Sequence, residues 1–303
     1  MAVERPPLRI IAIGGGKGGI GKSMISSSLA LTLAQEGQRV ILFDADLGGA
    51  NAHTCLGIPT PEATVADFVS QKVDSLQEVT TPTGFANLGL ISGALDWMQA
   101  ANPKAHEKAR LGDALLKVDA DVLVIDLGAG TGLHTIDFFL LAEKGIVALI
   151  PEPTAIENAY RFIKMACIRR LQAVPVPWYA RPLMARCLDE RALKGLRSPA
   201  ELLDEVAQVD SELAAQLHQE LMRHPFTIVV NQVRDEEEAR LADSIAEACR
   251  RFFGVAVDCT VSIPYDEAAW RAVRRRRPVV LEEPSGVVAQ SIAKLRQHVG
   301  ETA

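Results

Sequence analysis

Short runs of β-branched and other apolar residues recur along the chain, and longer segments rich in Ala and Leu separate them. Several runs are apolar at every position, as strands buried on both faces of a parallel sheet are. The predicted strands are Leu8–Ile13, Arg39–Phe43, Leu88–Ile91, Asp121–Ile125, Gly145–Ile150, Phe226–Val230 and Val255–Val261. The segments between them predict helices, among them Lys22–Gln35, Ala155–Leu171 and Glu236–Phe252.

This alternation predicts a three-layer α/β/α fold with a mostly parallel sheet of seven or eight strands. Right-handed crossovers place the carboxyl ends of parallel strands at one edge, where ligands bind. We expect residues 1–303 to form a single domain. Residues 172–224 are too long for a simple loop, so we predict a helical insertion of one or two surface helices. This insertion either packs on its own domain or forms a partner site.

Composition narrows the class of protein. Of 303 residues, 48% are hydrophobic and 23% are charged, which excludes a disordered, collagenous or disulfide-stapled chain. The net charge of −6 argues against a bulk binder of polyanions. The five cysteines form no C-x-x-C pair, and their odd number indicates a reducing cytosol. No apolar run approaches the roughly 18 residues of a spanning helix.

The strongest chemical signal follows the first predicted strand. Residues 16–23 match the G-x-x-x-x-G-K-S pattern of a phosphate-binding loop between a strand and a helix. Glycines let backbone N–H groups face phosphate oxygens, and the helix N-terminus attracts the same anion. Lys22 is predicted to reach the β- and γ-phosphates, and Ser23 to bind Mg²⁺. A ligand-free glycine-rich turn, the alternative, would not require lysine and serine at these offsets.

Two further predicted strands end in acidic residues. Asp44 and Asp46 are two residues apart, so both side chains leave an extended chain on the same side. Asp126 closes an apolar strand in the Walker B form, and the loop after it runs to Gly130. Carboxylates at this edge can orient an attacking water or hold Mg²⁺ through water. Solvated acids at strand ends are the alternative reading.

Lys17 is a second lysine inside the glycine-rich loop. The loop of its own chain does not need this cation. Lys17 therefore either reaches the phosphates of a facing subunit or is a solvated surface lysine, and the spacing alone leaves both open.

Residues 14–23, Gly-Gly-Gly-Lys-Gly-Gly-Ile-Gly-Lys-Ser, resemble the deviant Walker A motif of the MinD/ParA ATPases. Asp44-Ala-Asp46 with Asn51 resembles the first switch of that family, and residues 126–130 resemble its second. Residues 43–57 and 261–273 are most similar to the MinD and flagellar-number-regulator (FlhG/FleN) branch. The resemblance covers most of the chain apart from the predicted insertion.

The resemblance implies a role for each matching residue. Lys17 would cross an ATP-sandwiched homodimer, Asp46 would position the hydrolytic water, and Asp44 would support the switch. Asn231 would read the adenine edge, although an asparagine that ends a strand is the simpler reading. The implied nucleotide-binding residues are Gly16, Lys17, Gly18, Gly19, Ile20, Gly21, Lys22, Ser23, Met24, Gly130, Asn231 and Pro264; Met24 replaces a hydroxyl residue and contributes only backbone. The implied Mg²⁺ ligands are Ser23, Asp46 and Asp126.

The resemblance also implies a slow, partner-stimulated ATPase that dimerises with ATP and positions a cellular structure, such as a flagellum, division site or polar machinery. An activator or cargo protein is the expected partner. The implied location is cytoplasmic, with a peripheral place at the inner membrane or cell pole.

Membrane and nucleoid DNA have weaker support as partners. The run Arg274–Arg277 is basic, but it lacks interleaved aromatics. The apolar stripe of Val288, Ile292, Leu295 and Val299 predicts core packing. The short amino-terminal tail and the lack of a detached basic amphipathic tail argue against flagellar placement and membrane cycling.

Three alternatives stay open. The first is a metallocluster-maturation or cargo-carrier ATPase of the same fold, for which Cys55 lacks a second cysteine. The second is a metabolic P-loop ligase or kinase. The third is a nucleotide-binding scaffold with negligible turnover.

Overall fold

A single eight-stranded sheet organises the protein in a computed structural model that describes residues 7–47, 49–93, 105–188 and 198–300. Its order is β3-β4-β2-β5-β1-β6-β7-β8, and only the β3–β4 pair is antiparallel. The strands are β1 (Arg9–Gly14), β2 (Val40–Asp44), β3 (Thr80–Pro82), β4 (Leu88–Ile91), β5 (Val122–Asp126), β6 (Lys144–Leu149), β7 (Phe226–Val233) and β8 (Val257–Pro264). The predicted α/β/α class is confirmed.

Helices cover both faces of this sheet. In chain order they are α1 (Lys22–Gln35), α2 (Ala52–Leu56), α3 (Val65–Val69), α4 (Ala105–Leu115), α5 (Leu133–Phe139), α6 (Pro153–Ala173), α7 (Arg181–Leu188), α8 (Pro199–Val209), α9 (Ser211–Met222), α10 (Glu236–Ala248), α11 (Glu267–Arg274), α12 (Val279–Glu282) and α13 (Val287–Gly300). Among the described residues, none of these helices combines the length and apolarity needed to cross a membrane.

Successive side chains of the central strands alternate between two hydrophobic clusters, one on each face of the sheet. Ile11 and Ile13 belong to the cluster that contains α1 and α13, and Ala12 belongs to the other. The apolar stripe of α13 is buried in the first of these clusters, so its predicted core packing is confirmed. This double burial explains why the strand sequences are apolar at nearly every position.

Strand register brings the predicted chemistry together. Ile13 near the end of β1 pairs with Asp126 at the end of β5, and Asp44 at the end of β2 pairs with the same Asp126. The phosphate-binding loop and the two acidic strand ends therefore lie side by side at the carboxyl edge of the sheet.

Three features differ from the sequence prediction. The short edge strand β3 was not predicted, since its three residues include a proline and lie at an exposed edge. The predicted helix Glu236–Phe252 ends at Ala248 and continues as a π-helical turn. The described part of residues 172–224 holds three helices, α7, α8 and α9, and residues 189–197 lie outside the described chain.

The helices of the predicted insertion contribute to the core. The apolar faces of α8 and α9 are buried in the same cluster as α6, and the buried residues include Leu202, Val206, Leu213, Leu217 and Leu221. Arg170 of α6 is also buried, and it donates hydrogen bonds to the carbonyls of Leu221 and His224. This segment is therefore tied to α6 by both apolar and polar contacts.

Candidate nucleotide-binding site

The loop between β1 and α1 presents a row of unused backbone donors. Among the described residues, the N–H groups of Gly21, Lys22 and Ser23 have no protein acceptor, and α1 has no side-chain cap at its N-terminus. Buried or half-buried N–H groups at a helix start need partners. A row of converging donors at the positive end of a helix is suited to bind the oxygens of a phosphate chain.

The loop lies so close to its surroundings that side chains are excluded. A Cβ added at Gly16 would lie 2.2 Å from the carbonyl oxygen of Asn158 in α6, well inside any real contact. Packing against α6 therefore requires glycine at this position and holds the backbone of the loop in place.

Lys22 begins α1 and lies inside the loop. Its residue is only 8% exposed, and its Nζ donates a hydrogen bond of 3.1 Å to the carbonyl of Lys17. Burial lowers the pKa of the Lys22 ammonium, and the nearby carboxylates of Asp126 and Asp46 oppose that shift. The cation is thus held at the centre of the loop, close to acids from two other strands.

Asp126 and Asp44 form a buried acidic pair. Asp44 is 1% exposed and accepts hydrogen bonds from the N–H groups of Asp46 at 3.1 Å and Ala52 at 2.8 Å. Burial and then the charge of Asp44 raise the pKa of Asp126 to about 7, while the hydroxyl of Ser23 and the ammonium of Lys22 lower it. Burial also raises the pKa of Asp44.

The surroundings of Asp126 fit a magnesium ion. Its Oδ1 is buried and has no hydrogen-bond partner among the described residues, although a buried carboxylate oxygen normally has one. Ser23 interacts with the same carboxyl group. Mg²⁺ in nucleotide sites is held by one or two such side chains, with phosphate oxygens and water completing the shell.

Asp46 belongs to the loop that follows β2, and its side chain lies against the loop that follows β5. A Cβ at Gly128 would lie 3.2 Å from Asp46 Cγ, and a Cβ at Gly49 would lie 3.4 Å from its carboxylate oxygens. The side chain of Asp46 is partly exposed, and its negative charge acts to raise the pKa of Lys22. Asp46 is therefore placed to contact a group bound at the phosphate-binding loop. Gly130 lies further along the loop after β5, with φ +99°.

Lys17 has partners within its own chain. Its Nζ lies 2.6 Å from Glu152 Oε2 and 3.1 Å from Thr154 Oγ1, at the start of α6. Sequence reasoning missed both residues. The available signal was an acidic residue two positions after the predicted strand Gly145–Ile150, because such a residue falls at the carboxyl edge of the sheet.

Asn231 lies near the end of β7, beneath the phosphate-binding loop, and is 3% exposed. Its Nδ2 donates a hydrogen bond of 2.9 Å to the carbonyl of Ile20. Val233 pairs with Pro264 at the end of β8, so Pro264 reaches the same edge. The predicted contacts of Asn231 and Pro264 with adenine remain predictions.

One neighbouring acid pairs with part of the basic run. Arg275 and Arg277 both pair with Glu282, and Arg274 stacks on Trp270 with 4.6 Å between its guanidinium carbon and the ring centre. This arrangement leaves less free positive charge than the sequence suggested, while DNA binding itself stays a prediction.

Replacing Asp126 with Asn should stabilise the nucleotide-free protein at high pH. The ordinary pKa of an aspartate is about 3.9, so the native state favours a protonated Asp126. That contribution to stability is full below the unfolded pKa and is lost as the pH rises through about 7. We expect the Asp126→Asn variant to melt roughly 5 °C above the wild type at pH 8, with a smaller difference at pH 5.

Scanning calorimetry in EDTA without nucleotide measures this effect. The same variant should lose Mg²⁺-dependent binding of nucleotide. A variant that melts below the wild type at pH 8 would show that the buried carboxylate is stabilising in the free protein, contrary to this expectation.

Comparisons with known proteins agree with this geometry. Residues 11–279 match the model of the CobQ/CobB/MinD/ParA nucleotide binding domain. Among curated relatives, the antiactivator FleN of Pseudomonas aeruginosa is 26% identical over 294 residues, which cover 97% of this chain and 86% of FleN. The flagellum site-determining protein YlxH of Helicobacter pylori is 33% identical over 166 residues, about half of each chain.

Solved structures share the fold. The septum site-determining protein MinD of Pyrococcus horikoshii, complexed with Mg-ADP, superposes with a TM-score of 0.66 at 21% identity, covering 97% of this chain and 96% of that one. A chain of the MinC:MinD cell division protein complex of Aquifex aeolicus gives a TM-score of 0.60 at 18% identity, covering 97% of each chain. The family match spans most of the chain and includes every residue of the candidate site, so the chain belongs to the CobQ/CobB/MinD/ParA nucleotide-binding family.

Proposed function

We propose that this protein binds ATP with Mg²⁺, hydrolyses it slowly, and forms a homodimer in the ATP-bound state. One observation carries the proposal: three kinds of group without a full set of partners meet at one edge of the sheet. They are the loop N–H groups that have no protein acceptor, the ammonium of Lys22, and the Oδ1 atom of Asp126, which has no hydrogen-bond partner among the described residues. A triphosphate–magnesium complex satisfies all three, because it supplies anionic oxygens to the donors and a cation to the carboxylate.

Each side chain of the site would have a defined task. The loop N–H groups and Lys22 would bind phosphate oxygens, and Ser23 and Asp126 would hold Mg²⁺. Bound there, Mg²⁺ would neutralise charge on the β- and γ-phosphates. Asp46 would orient the attacking water, and the N–H bonds to Asp44 would hold the backbone of that loop. Phosphoryl transfer needs positioning and charge rather than a covalent step, which is what these residues provide.

The dimeric state rests on Lys17. In the chain described here it pairs with Glu152, but their side chains are 33% and 54% exposed. Ion pairs this exposed contribute about 1 kcal/mol or less. The γ-phosphate of a facing subunit therefore offers Lys17 a stronger partner than Glu152 does, and ATP would favour dimerisation for this reason.

The names of relatives suggest the biological role. FleN is an antiactivator, YlxH determines a flagellar site, and MinD determines the septum site and is solved with MinC. We therefore propose that this protein acts through an activator or cargo protein and positions a cellular structure such as a flagellum or division site. Peripheral association with a membrane or the cell pole belongs to the same proposal.

Two structural features bear on the alternatives. Burial raises the pKa of the Cys55 thiol to about 12, which disfavours the thiolate that metallocluster binding requires.

The helices α8 and α9 share a hydrophobic cluster with the sheet, which supports the proposal that the chain is a single domain.

Two measurements on the wild-type protein test the proposal. Titration calorimetry should detect binding of Mg·ADP and Mg·ATP, and light scattering should detect a dimer only with Mg·ATP. Phosphate release above background separates an ATPase from a scaffold without turnover. The absence of heat with either nucleotide would overturn the proposal, and binding with no change of mass would favour a metabolic P-loop enzyme.

Substitutions at the Lys17–Glu152 pair should move dimerisation in opposite directions. We expect Lys17→Ala to abolish the ATP-dependent dimer, because it removes the cation that would cross the interface. Glu152→Gln should strengthen the dimer about two- to fivefold, because it removes the competing partner within the chain. Sedimentation velocity over a range of protein concentrations in Mg·ATP measures the dimerisation constant of each variant.

The Thr154→Val variant provides the matched control, since it removes the neutral partner of Lys17 and keeps the charge of Glu152. Its dimerisation constant should stay within about twofold of the wild type. A Lys17→Ala variant that dimerises normally would refute the assignment of Lys17 to the interface.

A further inference from the structure

Asn231 lies in an irregular part of β7. The pairing of β7 with β8 shifts register between Asn231 and Val233, which leaves Gln232 as a bulge. Gln232 has φ +62°, in the left-handed region that residues other than glycine rarely adopt. Strain of this kind persists where the surrounding structure holds it, and it concentrates at functional positions. The bulge therefore points to a specific task at the end of β7.

The bulge fixes the orientation of the Asn231 amide. The N–H of Gln232 donates a hydrogen bond of 3.0 Å to Asn231 Oδ1, so the oxygen faces the strand. The amide nitrogen consequently faces the phosphate-binding loop, where Nδ2 donates to the carbonyl of Ile20 at 2.9 Å. Only this orientation pairs a donor with an acceptor at both ends of the amide.

The bond to Ile20 controls the direction of a loop donor. The carbonyl of Ile20 and the N–H of Gly21 belong to the same planar trans peptide, so they point in opposite directions. When Asn231 holds that carbonyl, the Gly21 N–H faces away from Asn231. Among the described residues this N–H has no protein acceptor, so it is free for a phosphate oxygen.

Gly21 is shaped to allow this contact. It has φ +92°, and a Cβ there would lie 2.3 Å from Asn231 Nδ2. The asparagine therefore occupies the space that any other residue at position 21 would need. Loop and asparagine fit each other closely, although 211 positions of sequence separate Ile20 from Asn231.

We propose that Asn231 is a positioning residue for the phosphate-binding loop: its amide, oriented by the bulge at Gln232, holds the Ile20 carbonyl and aims the Gly21 N–H at the phosphates. This inference rests on the proposed nucleotide-binding function. It differs from base recognition, because it assigns to Asn231 an effect on any ligand that carries a polyphosphate.

A ligand without a base separates the two roles. In Asn231→Asp the side chain keeps its shape, but an acceptor replaces the amide donor that faces Ile20. Displacement of a fluorescent ADP analogue gives inhibition constants for Mg·ADP, Mg·GDP and magnesium pyrophosphate. We expect Asn231→Asp to weaken ADP and pyrophosphate by the same factor, about tenfold, and to leave the ratio of GDP to ADP unchanged.

A second pair of variants tests the same contact without changing Asn231. Gln232→Gly accepts the left-handed backbone and should keep the wild-type affinity for pyrophosphate. Gln232→Val is β-branched and strained in that conformation, so it should move the amide and weaken pyrophosphate severalfold. A purely structural role for this region would lower the melting temperatures of the variants and leave the constants of the folded protein unchanged.

Several results would overturn the inference. If Asn231→Asp weakens the binding of ADP but not of pyrophosphate, Asn231 contacts the base. A change in the ratio of the GDP and ADP constants in this variant would lead to the same conclusion. Unchanged constants for all ligands, or equal behaviour of the two Gln232 variants, would also reject it. Failure of the wild type to bind Mg·ADP would instead reject the proposed function, and that outcome is separate from these.

Discussion

ATP turnover should fall about 100-fold or more when Asp46 is replaced by Ala, while ATP binding stays within about twofold of the wild type. The carboxylate of Asp46 is partly exposed beside Gly128 and close to the charge of Lys22, where a water that attacks a bound γ-phosphate would lie. The contact that holds the loop is made by the backbone N–H of Asp46 to Asp44, so it survives the substitution. Loop geometry and nucleotide binding should therefore be preserved.

The stalled variant should also change its oligomeric state. If hydrolysis ends the dimeric state, Asp46→Ala should accumulate as a dimer in Mg·ATP, and the wild type should return to monomer as ATP is consumed. Light scattering followed over time, with phosphate release measured in parallel, records both processes.

A matched control replaces an acid at the opposite end of the sheet. Asp119 precedes β5 and forms an exposed pair with Arg39, so Asp119→Asn should turn over ATP at the wild-type rate. Equal losses of affinity and turnover in Asp46→Ala would place Asp46 among the Mg²⁺ ligands rather than beside the water. Unchanged turnover in Asp46→Ala would show that a residue other than Asp46 orients the attacking water.

The sequence was sufficient to predict the phosphate-binding loop, because the chemistry there is local. Glycine, lysine and serine at fixed offsets between a strand and a helix dictate the geometry within a few residues. The meeting of Asp44 and Asp126 also follows from the sequence, since parallel topology brings strand ends to one edge. The register of β2 and β5 confirms that neighbourhood.

The contacts that tune the site could not be predicted, because they join distant segments. The pairing of Lys17 with Glu152 depends on how α6 begins after β6, and the bond from Asn231 to Ile20 depends on a one-residue bulge. Hydrophobic patterning specifies which face of an element is buried, but it does not specify such side-chain geometry. The pairing of Arg275 and Arg277 with Glu282 has the same origin.

The predicted insertion illustrates a different limit. Its prolines and charges predicted surface helices that either pack on their own domain or form a partner site, and α8 and α9 bury an apolar face against α6, as the first alternative expects. Their sequence carries the periodicity of amphipathic helices, with Leu202 and Val206 four residues apart and Leu213 and Leu217 likewise. Amphipathic periodicity indicates that a face is covered, and the identity of the covering element comes only from the tertiary structure.

Affinity for Mg·ADP should fall about 100-fold in Lys22→Ala, which corresponds to the loss of roughly 3 kcal/mol from a charged hydrogen bond. Lys22 is 8% exposed, and its ammonium is kept inside the loop by the carbonyl of Lys17. Water screens a buried charge poorly, so its attraction to phosphate is large. ADP is the appropriate ligand for this test, because the ADP-bound protein is expected to be monomeric and dimerisation does not contribute to the measured heat.

Lys17→Ala is the control for Lys22→Ala, since it removes the same charge from the same loop at an exposed position. Its affinity for Mg·ADP should stay within about twofold of the wild type, because Lys17 points to Glu152 rather than into the loop. Melting temperatures of the nucleotide-free proteins distinguish lost binding from lost folding. If Lys17→Ala weakens ADP as much as Lys22→Ala does, the two lysines act on the same phosphates within one chain, and the assignment of Lys17 to a facing subunit is wrong.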